Sequence, residues 1–408
     1  MRKMARPKTS KNQEVQTEGK VDEVQQALDI FEELDGGSAA FKSRKTIIET
    51  IDTGSPAMNN AIGIGGYPKG RIVQIYGPFG SGKSLLSMEA VANAVAEPGS
   101  FAVWFDAEHS FNYTWAKEYK IWDDDPKKSK VKVYKGARGI DIIEKIVGKI
   151  KKDKFGTKKV QKGILDYVKE GKIKCPIIVI DSLGSIISPA EEDAPVGGRT
   201  VGALAGFLSA ELKRMGGIIE ETNTCLICLN QVRQSLDIGG GGYGDKFHFP
   251  GGENLKHQMS LNLYIERRTS ADDIILANDN DKNTLIGQKV KIVVKKSRFG
   301  PAPRTCETTL LFKKKAGFDK VGVVNAEAEV IDLASNCGLI TRGGAWLTLH
   351  NGEKFCGIDK AQEYLKNNKE VYNDLVTKLK EATIRTGEIE EVFANDDDNL
   401  LAELAVEE

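Results

Sequence analysis

The chain of 408 residues has no net charge, with 58 Lys and Arg balanced by 58 Asp and Glu, so its total charge points to no polyanionic partner. It also lacks any apolar run long enough for a signal peptide or a membrane span, which argues against secretion and membrane insertion. Cysteine is sparse: six residues, Cys175, Cys225, Cys228, Cys306, Cys337 and Cys356, with no disulfide-framework spacing. Cys225 and Cys228 are three apart, but Thr224–Leu229 reads as a buried strand. Positions i and i+3 of a strand face opposite ways, which favours packing over a shared metal. Unpaired cysteines fit a reducing compartment, most simply the cytoplasm.

Charge is absent in total but not in distribution. Residues 1–20 carry Arg2, Lys3, Arg6, Lys8, Lys11 and Lys20, whereas 386–408 hold nine acids and no Lys or Arg. Both ends read as disordered. Between Lys151 and Lys174 stand nine lysines, either a solvated surface excursion or a secondary nucleic-acid contact. Residues 237–253 include seven glycines and cannot form a regular element.

The rest of the chain is organised around Gly77-Pro78-Phe79-Gly80-Ser81-Gly82-Lys83-Ser84. This fits the phosphate-loop pattern G-x-x-x-x-G-K-[ST] at every fixed position. Arg71–Tyr76 before it is apolar and of strand length, and Leu85–Val95 after it reads as a helix with an apolar face. A strand, a glycine turn and a helix start aim successive backbone N–H groups at one point, a cradle for a polyphosphate. Lys83 then reaches the β- and γ-phosphates, and the Ser84 hydroxyl sits on Mg²⁺. Pro176–Ile180 is a continuous apolar run ending in Asp181, the pattern of a buried strand with a Mg²⁺-holding acid at its carboxyl end. Further strands are expected at Phe101–Phe105, Thr224–Leu229, within Lys256–Arg268 and at Lys289–Lys295, with a short strand at Thr46–Ile51, a helix cap at Asp52–Ser55 and a helix over Val201–Glu221. Alternating strands and helices across 50–320 predict a mostly parallel sheet covered on both faces. From about Glu327 the texture changes to two short helical runs around a Gly-rich turn.

Taken in order, the phosphate loop, Asp106-Ala107-Glu108-His109, Asp181-Ser182 and Asn230-Gln231-Val232-Arg233 resemble the RecA recombinase family. Ile51–Ala61 and Gly70–Pro78 resemble it almost residue for residue, and Gly343–Leu347 with Gly352–Lys354 resembles its C-terminal domain. The resemblance covers roughly 20–380. The lysine-rich segment departs from bacterial members, while Lys296-Ser297-Arg298 is similar to phage recombinases such as UvsX, so a phage source is one expectation.

The resemblance implies an α/β fold: a phosphate-loop NTPase core of RecA type with a mostly parallel twisted sheet, an N-terminal polymerisation helix and a small α/β C-terminal domain. The expected divisions are 1–45 (basic tail and oligomerisation helix, Val21–Leu34), 46–326 (ATPase core with DNA loops), 327–385 (C-terminal domain) and 386–408 (acidic tail). It implies ATP and Mg²⁺ as cofactors, and single-stranded DNA, homologous duplex DNA and a helical filament of this chain as partners, with single-strand-binding and loading proteins beside them. Glu108 would orient the attacking water, Gln231 would sense the γ-phosphate, and Lys296 and Arg298 would reach the γ-phosphate of the adjacent subunit. Asn112 and Trp115 would meet adenine, although Trp115 could equally be core. Two loops would hold DNA, about Glu191–Thr200 and Gln234–Glu253. Arg199, Arg233, Lys246 and Lys256 are the candidate phosphate contacts, and Val201, Ile238, Tyr243, Phe247 and Phe249 the wedges between bases. His257 stands where the family has an aromatic at the subunit contact. A RecA-fold hexameric helicase or RadA-like branch-migration ATPase is the rival reading.

Overall fold

The apolar runs of the sequence become the middle of one ten-stranded sheet. The computed structural model describes residues 48–152, 158–195, 198, 200, 202–234, 247–248, 255–277, 284–315, 318 and 320–382. In chain order the sheet uses β1 (Ile72–Gly77), β2 (Ser100–Asp106), β3 (Val131–Lys135), β4 (Lys174–Asp181), β5 (Cys225–Gln231), β6 (Leu261–Arg267), β7 (Ile274–Leu276), β8 (Leu285–Ser297), β9 (Arg304–Leu311) and β10 (Gly322–Val324). Their spatial order is β10-β9-β8-β6-β1-β5-β4-β2-β3, with β7 paired to β8. The six strands from β6 to β3 are parallel. The remaining four join antiparallel.

The parallel strands are apolar throughout because both faces are covered. Alternate side chains serve two separate cores. Ala102, Trp104, Val179 and Ile227 join Leu85, Leu86 and Val91 on one face. Val103, Phe105, Ile178, Ile180 and Leu226 join Leu208, Leu212 and Met215 on the other. Cys225 belongs to the first face and Cys228 to the second, so the two thiols point apart. Burial pushes both up, Cys228 to about 12.

The helices that matter below are α1 (Pro56–Ile62), α2 (Lys83–Ala94), α3 (Tyr113–Glu118), α4 (Gly139–Val147), α5 (Ile164–Lys169), α6 (Ala203–Glu221), α7 (Ala326–Asn336) and α8 (Ile358–Asn367). Ser55 caps α1, its Oγ accepting from the Met58 N–H at 3.1 Å. The carboxylate of Glu329 on α7 reaches the same spot. It accepts from Ser55 Oγ at 2.6 Å and from the Ala57 N–H at 3.0 Å, and its other oxygen accepts from Thr308 Oγ1 at 2.6 Å. A further apolar cluster joins Val330 and Ile331 of α7 to Leu347, Leu365 and Leu375.

Two readings need correction, and the lysine-rich stretch, given no element in the sequence, acquires one. The Gly-rich turn of the C-terminal segment is a three-stranded sheet, Thr341–Gly343, Trp346–Thr348 and Lys354–Cys356. The lysine-rich stretch contains an antiparallel pair, Lys149–Lys152 with Lys158–Gln161, before α5. And 237–253 is not wholly irregular, since Phe247–His248 pairs with Arg233–Gln234. In each case strands of two to four residues are too short to display a period of two in sequence. The expected helix Val21–Leu34 and the acidic tail 386–408 lie outside the described residues.

Candidate functional site

The carboxyl ends of β1, β2, β4 and β5 are neighbours, and each delivers one functional group to the same edge of the sheet, where open α/β sheets bind ligands. From β1 comes the loop Gly77–Ser84. Its glycines are demanded by space: a Cβ on Gly77 would lie 2.3 Å from the Ile265 carbonyl oxygen. One on Gly82, whose φ is +93°, would lie 2.3 Å from Leu310 Cδ1. Gly82 opens α2 without any side-chain cap, so the first N–H groups of that helix face the loop and suit phosphate oxygens. Phe79 stands on the loop 82% exposed. Gln288, reaching from β8, donates from Nε2 to the Gly80 carbonyl at 3.0 Å and braces the loop from below. No motif announces it, and a polar residue is no signal in a strand that also carries Lys289 and Lys291.

Lys83 lies folded back on its own loop, donating from Nζ to the carbonyls of Gly77 (3.1 Å) and Pro78 (2.8 Å). Burial lowers its pKa, against the pull of Asp181 and Glu108. Ser84 Oγ donates to Asp181 Oδ2 at 2.9 Å, which joins the end of β4 to the start of α2. Burial lifts the Asp181 carboxyl to about 7, the Ser84 bond opposes this, and Glu108 and Asp106 add to it. A hydroxyl and a buried carboxylate oxygen side by side are hard donors fitting Mg²⁺, whose charge would offset that burial.

From β2 comes Glu108. Its backbone N–H and that of Ala107 donate to the Asp181 carbonyl at 3.1 and 2.7 Å. Its Oε1 accepts from Ser182 Oγ at 2.7 Å, from Ser185 Oγ at 3.4 Å and from Gln231 Nε2 at 2.6 Å. The strand ends β2, β4 and β5 are thereby tied through a single carboxylate oxygen. Asp106 is buried and accepts from the N–H groups of Ser110 (2.8 Å) and Phe111 (3.2 Å), which sets the turn carrying Glu108.

The structure accounts for Asn112 and Trp115 locally. Asn112 caps α3, its Oδ1 accepting from the Trp115 N–H at 3.0 Å. The indole donates from Nε1 to the Phe312 carbonyl at 2.9 Å and lies over the Phe312 ring with centroids 6.4 Å apart.

Lys296 and Arg298 are held together but away from this edge. Lys296 donates to the carbonyls of Lys256 (2.6 Å) and His257 (3.3 Å), and Arg298 to that of His257 (3.0 Å). In the ladder Lys296 pairs with Asn262, and Asn262 with Gln74. Arg298 lies two rungs further back, its N–H on the Ser260 carbonyl. At about 3.3 Å per residue these rungs stop roughly 10 Å or more short of Gly77.

Of the expected DNA contacts, Arg199, Val201, Ile238, Tyr243, Lys246 and Phe249 lie outside the described residues. Arg233 and Phe247 sit on the two strands that pair just beyond Gln231, with Arg233 opposite His248 and Gln234 opposite Phe247. Lys256 lies in the short helix Leu255–Gln258. The Val232 N–H donates to the Gly77 carbonyl at 3.4 Å, so the chain leaving β5 touches the phosphate loop first.

A glycine loop between a central parallel strand and a helix, with a lysine, a hydroxyl–carboxylate pair and a strand-end glutamate around it, defines a phosphate-loop nucleoside triphosphatase. Residues 22–153 and 125–317 match the RecA N-terminal domain, and 328–384 the RecA C-terminal domain. The chain is 30% identical to Protein RecA of Oceanobacillus iheyensis over 328 residues, 80% of this chain and 82% of that one. It is 30% identical to the chromosomal Protein RecA of Lactococcus lactis over 335 residues, 82% of this chain and 76% of that one. With Protein RecA of Wolbachia from Drosophila simulans it shares 28% identity over 395 residues, 96% and 98% of the two chains. The chain belongs to the RecA family of recombinases, DNA-dependent ATPases of homologous recombination.

Proposed function

We propose that this recombinase binds ATP on the loop Gly77–Ser84 and couples its hydrolysis to a filament of its own copies on single-stranded DNA, which then pairs with homologous duplex and exchanges strands. What supports the site assignment is the convergence of Lys83, Ser84, Asp181, Glu108 and Gln231 at adjoining strand ends. On ATP binding, Lys83 Nζ exchanges the carbonyls of Gly77 and Pro78 for β- and γ-phosphate oxygens. Ser84 and Asp181 would hold Mg²⁺, which when bound would supply positive charge against the phosphate oxygens. Glu108, oriented by Ser182, positions the attacking water and accepts its proton. Trp115 and Asn112 bound the adenine side.

Gln231 turns from Glu108 to the γ-phosphate. Because β5 runs on through Val232 into the paired strands Arg233–Gln234 and Phe247–His248, that local exchange reaches the DNA loop. Lys296 and Arg298, set back from their own loop, serve the γ-phosphate of the next subunit, so hydrolysis requires assembly. Arg199, Arg233, Lys246 and Lys256 take the strand's phosphates, and Val201, Ile238, Tyr243 and Phe247 separate its bases. Watson–Crick pairing supplies sequence choice.

The proposed divisions are 1–45 for assembly, 46–326 for the ATPase, 327–385 for the C-terminal domain and 386–408 for the tail. That tail competes with DNA for basic surface. Single-strand-binding and loading proteins act beside the filament in the cytoplasm. Among the described residues no helix is long and apolar enough to cross a membrane. The match to the RecA C-terminal domain favours a filament over a ring helicase. ATP turnover with and without single-stranded DNA, together with electron microscopy in ATPγS, tests the reading. DNA-stimulated turnover and long helical filaments are expected; closed rings, or turnover indifferent to DNA, would overturn it.

A further inference from the structure

Residues 149–162 carry seven lysines against one acid. The described parts of the segment, Lys149–Lys152 and Lys158–Gln161, pair as a two-stranded ribbon that joins no other described strand, with Lys149 opposite Gln161, Ile150 opposite Val160, Lys151 opposite Lys159 and Lys152 opposite Lys158. Its base is fixed. A Cβ on Gly148 would lie 2.4 Å from the Gln161 carbonyl oxygen, and one on Gly163 2.2 Å from the Gly148 nitrogen. Asp166 accepts from the Gly163 N–H at 2.8 Å, and the two lysines beside the base are neutralised, Lys149 by Glu144 and Lys162 by Glu170. Past the base the arrangement changes: lysine stands opposite lysine at two successive rungs.

Like charges directly opposite weaken a ladder, and an isolated two-stranded ribbon is marginal to begin with. Val160, the apolar partner of Ile150 in the ladder, is 65% exposed. Neither core packing nor strand pairing therefore explains the lysine rungs, whereas a polyanion would remove their repulsion. The geometry points to the ribbon Lys149–Lys152/Lys158–Gln161 as an arm that grips duplex DNA through its phosphates. Successive rungs of a strand pair belong to opposite faces, so the two lysine rungs fall on different faces of the ribbon. A duplex groove has a phosphate row on each side, and the major groove admits a two-stranded ribbon; a single strand presents one row. The inference rests on the reading of this chain as a DNA recombinase and adds a duplex-binding surface to it.

The test replaces Lys151, Lys152, Lys158 and Lys159 together by Gln in the full chain, with the fourfold Arg variant as its charge-preserving counterpart. Filaments formed on single-stranded DNA are titrated with a labelled non-homologous duplex over a range of salt. The Gln variant should capture duplex at least about tenfold more weakly at physiological salt. Its slope of log K against log salt should shrink by about 0.9 for each phosphate that the ribbon no longer neutralises. Its single-strand affinity and DNA-stimulated ATP turnover should match the parent, and its thermal midpoint should not fall, because opposed charges have gone. The Arg variant should keep duplex capture. Unchanged duplex affinity and slope in the Gln variant would overturn the inference, as would an equal loss towards single strands or an equal loss in the Arg variant. Failure of the underlying reading shows differently, as an unmodified chain whose ATP turnover ignores DNA.

Discussion

Glu108 and Gln231 share the hydrogen bond that matters most at the scale of single residues, 2.6 Å between the expected base and the expected sensor. Loss of Glu108 as Glu108→Ala should leave ATP binding intact and slow hydrolysis by about 10²–10⁴-fold, read by turnover beside a fluorescent-nucleotide titration. Lys83→Ala should lose nucleotide binding itself in the same titration. Gln231→Ala should bind ATP yet respond little to DNA, so its turnover with and without single strands should nearly coincide; full stimulation would remove Gln231 from the coupling. Lys83, Ser84 and Asp181 are legible in sequence because phosphate and Mg²⁺ chemistry restricts both residue type and spacing. Gln288 is not, because bracing a loop carbonyl from another strand needs only one donor at the right place. Asn112 is legible as important but not as a helix cap, since one amide can serve a backbone or a ligand.

At the scale of elements, the register of β8 against β6 and β1 decides where Lys296 and Arg298 can act. The residues are legible as a basic run, but their distance from Gly77 is a property of pairing, which the sequence of β8 alone does not state. The double variant Lys296→Ala/Arg298→Ala should bind nucleotide like the parent and lack DNA-stimulated turnover. Mixed with Lys83→Ala, itself inactive, it should regain part of that turnover, because some interfaces then unite an intact loop with an intact cation pair. A mixture as inactive as its components would show that the cations act within their own subunit. Strands that alternate or run apolar for five residues or more, such as β2 and β4, are readable. The C-terminal strands Thr341–Gly343 and Lys354–Cys356 are not, being too short for any pattern.

For the molecule as a whole, the contact to test is Glu329, a carboxylate of α7 that holds Ser55, the α1 backbone and Thr308 at once. Glu329→Ala should cost about 1–3 kcal/mol in denaturant unfolding, because three donors lose their acceptor in a buried place. Burial raises the Glu329 carboxyl above its ordinary value, more than its three donors lower it. Its contribution is therefore complete below the ordinary glutamate range and is lost as pH rises through the raised folded value. Stability of the parent should decline relative to Glu329→Gln over that interval, and parallel pH profiles would exclude the effect.

The set-back of Lys296 and Arg298 carries a consequence for any row of these molecules. If these cations serve the next subunit, as proposed, each nucleotide is completed from one side only and the subunit at one extremity goes without. Short rows should therefore burn less fuel per subunit than long ones, and output per subunit should climb with the length of the DNA lattice until that idle extremity becomes negligible.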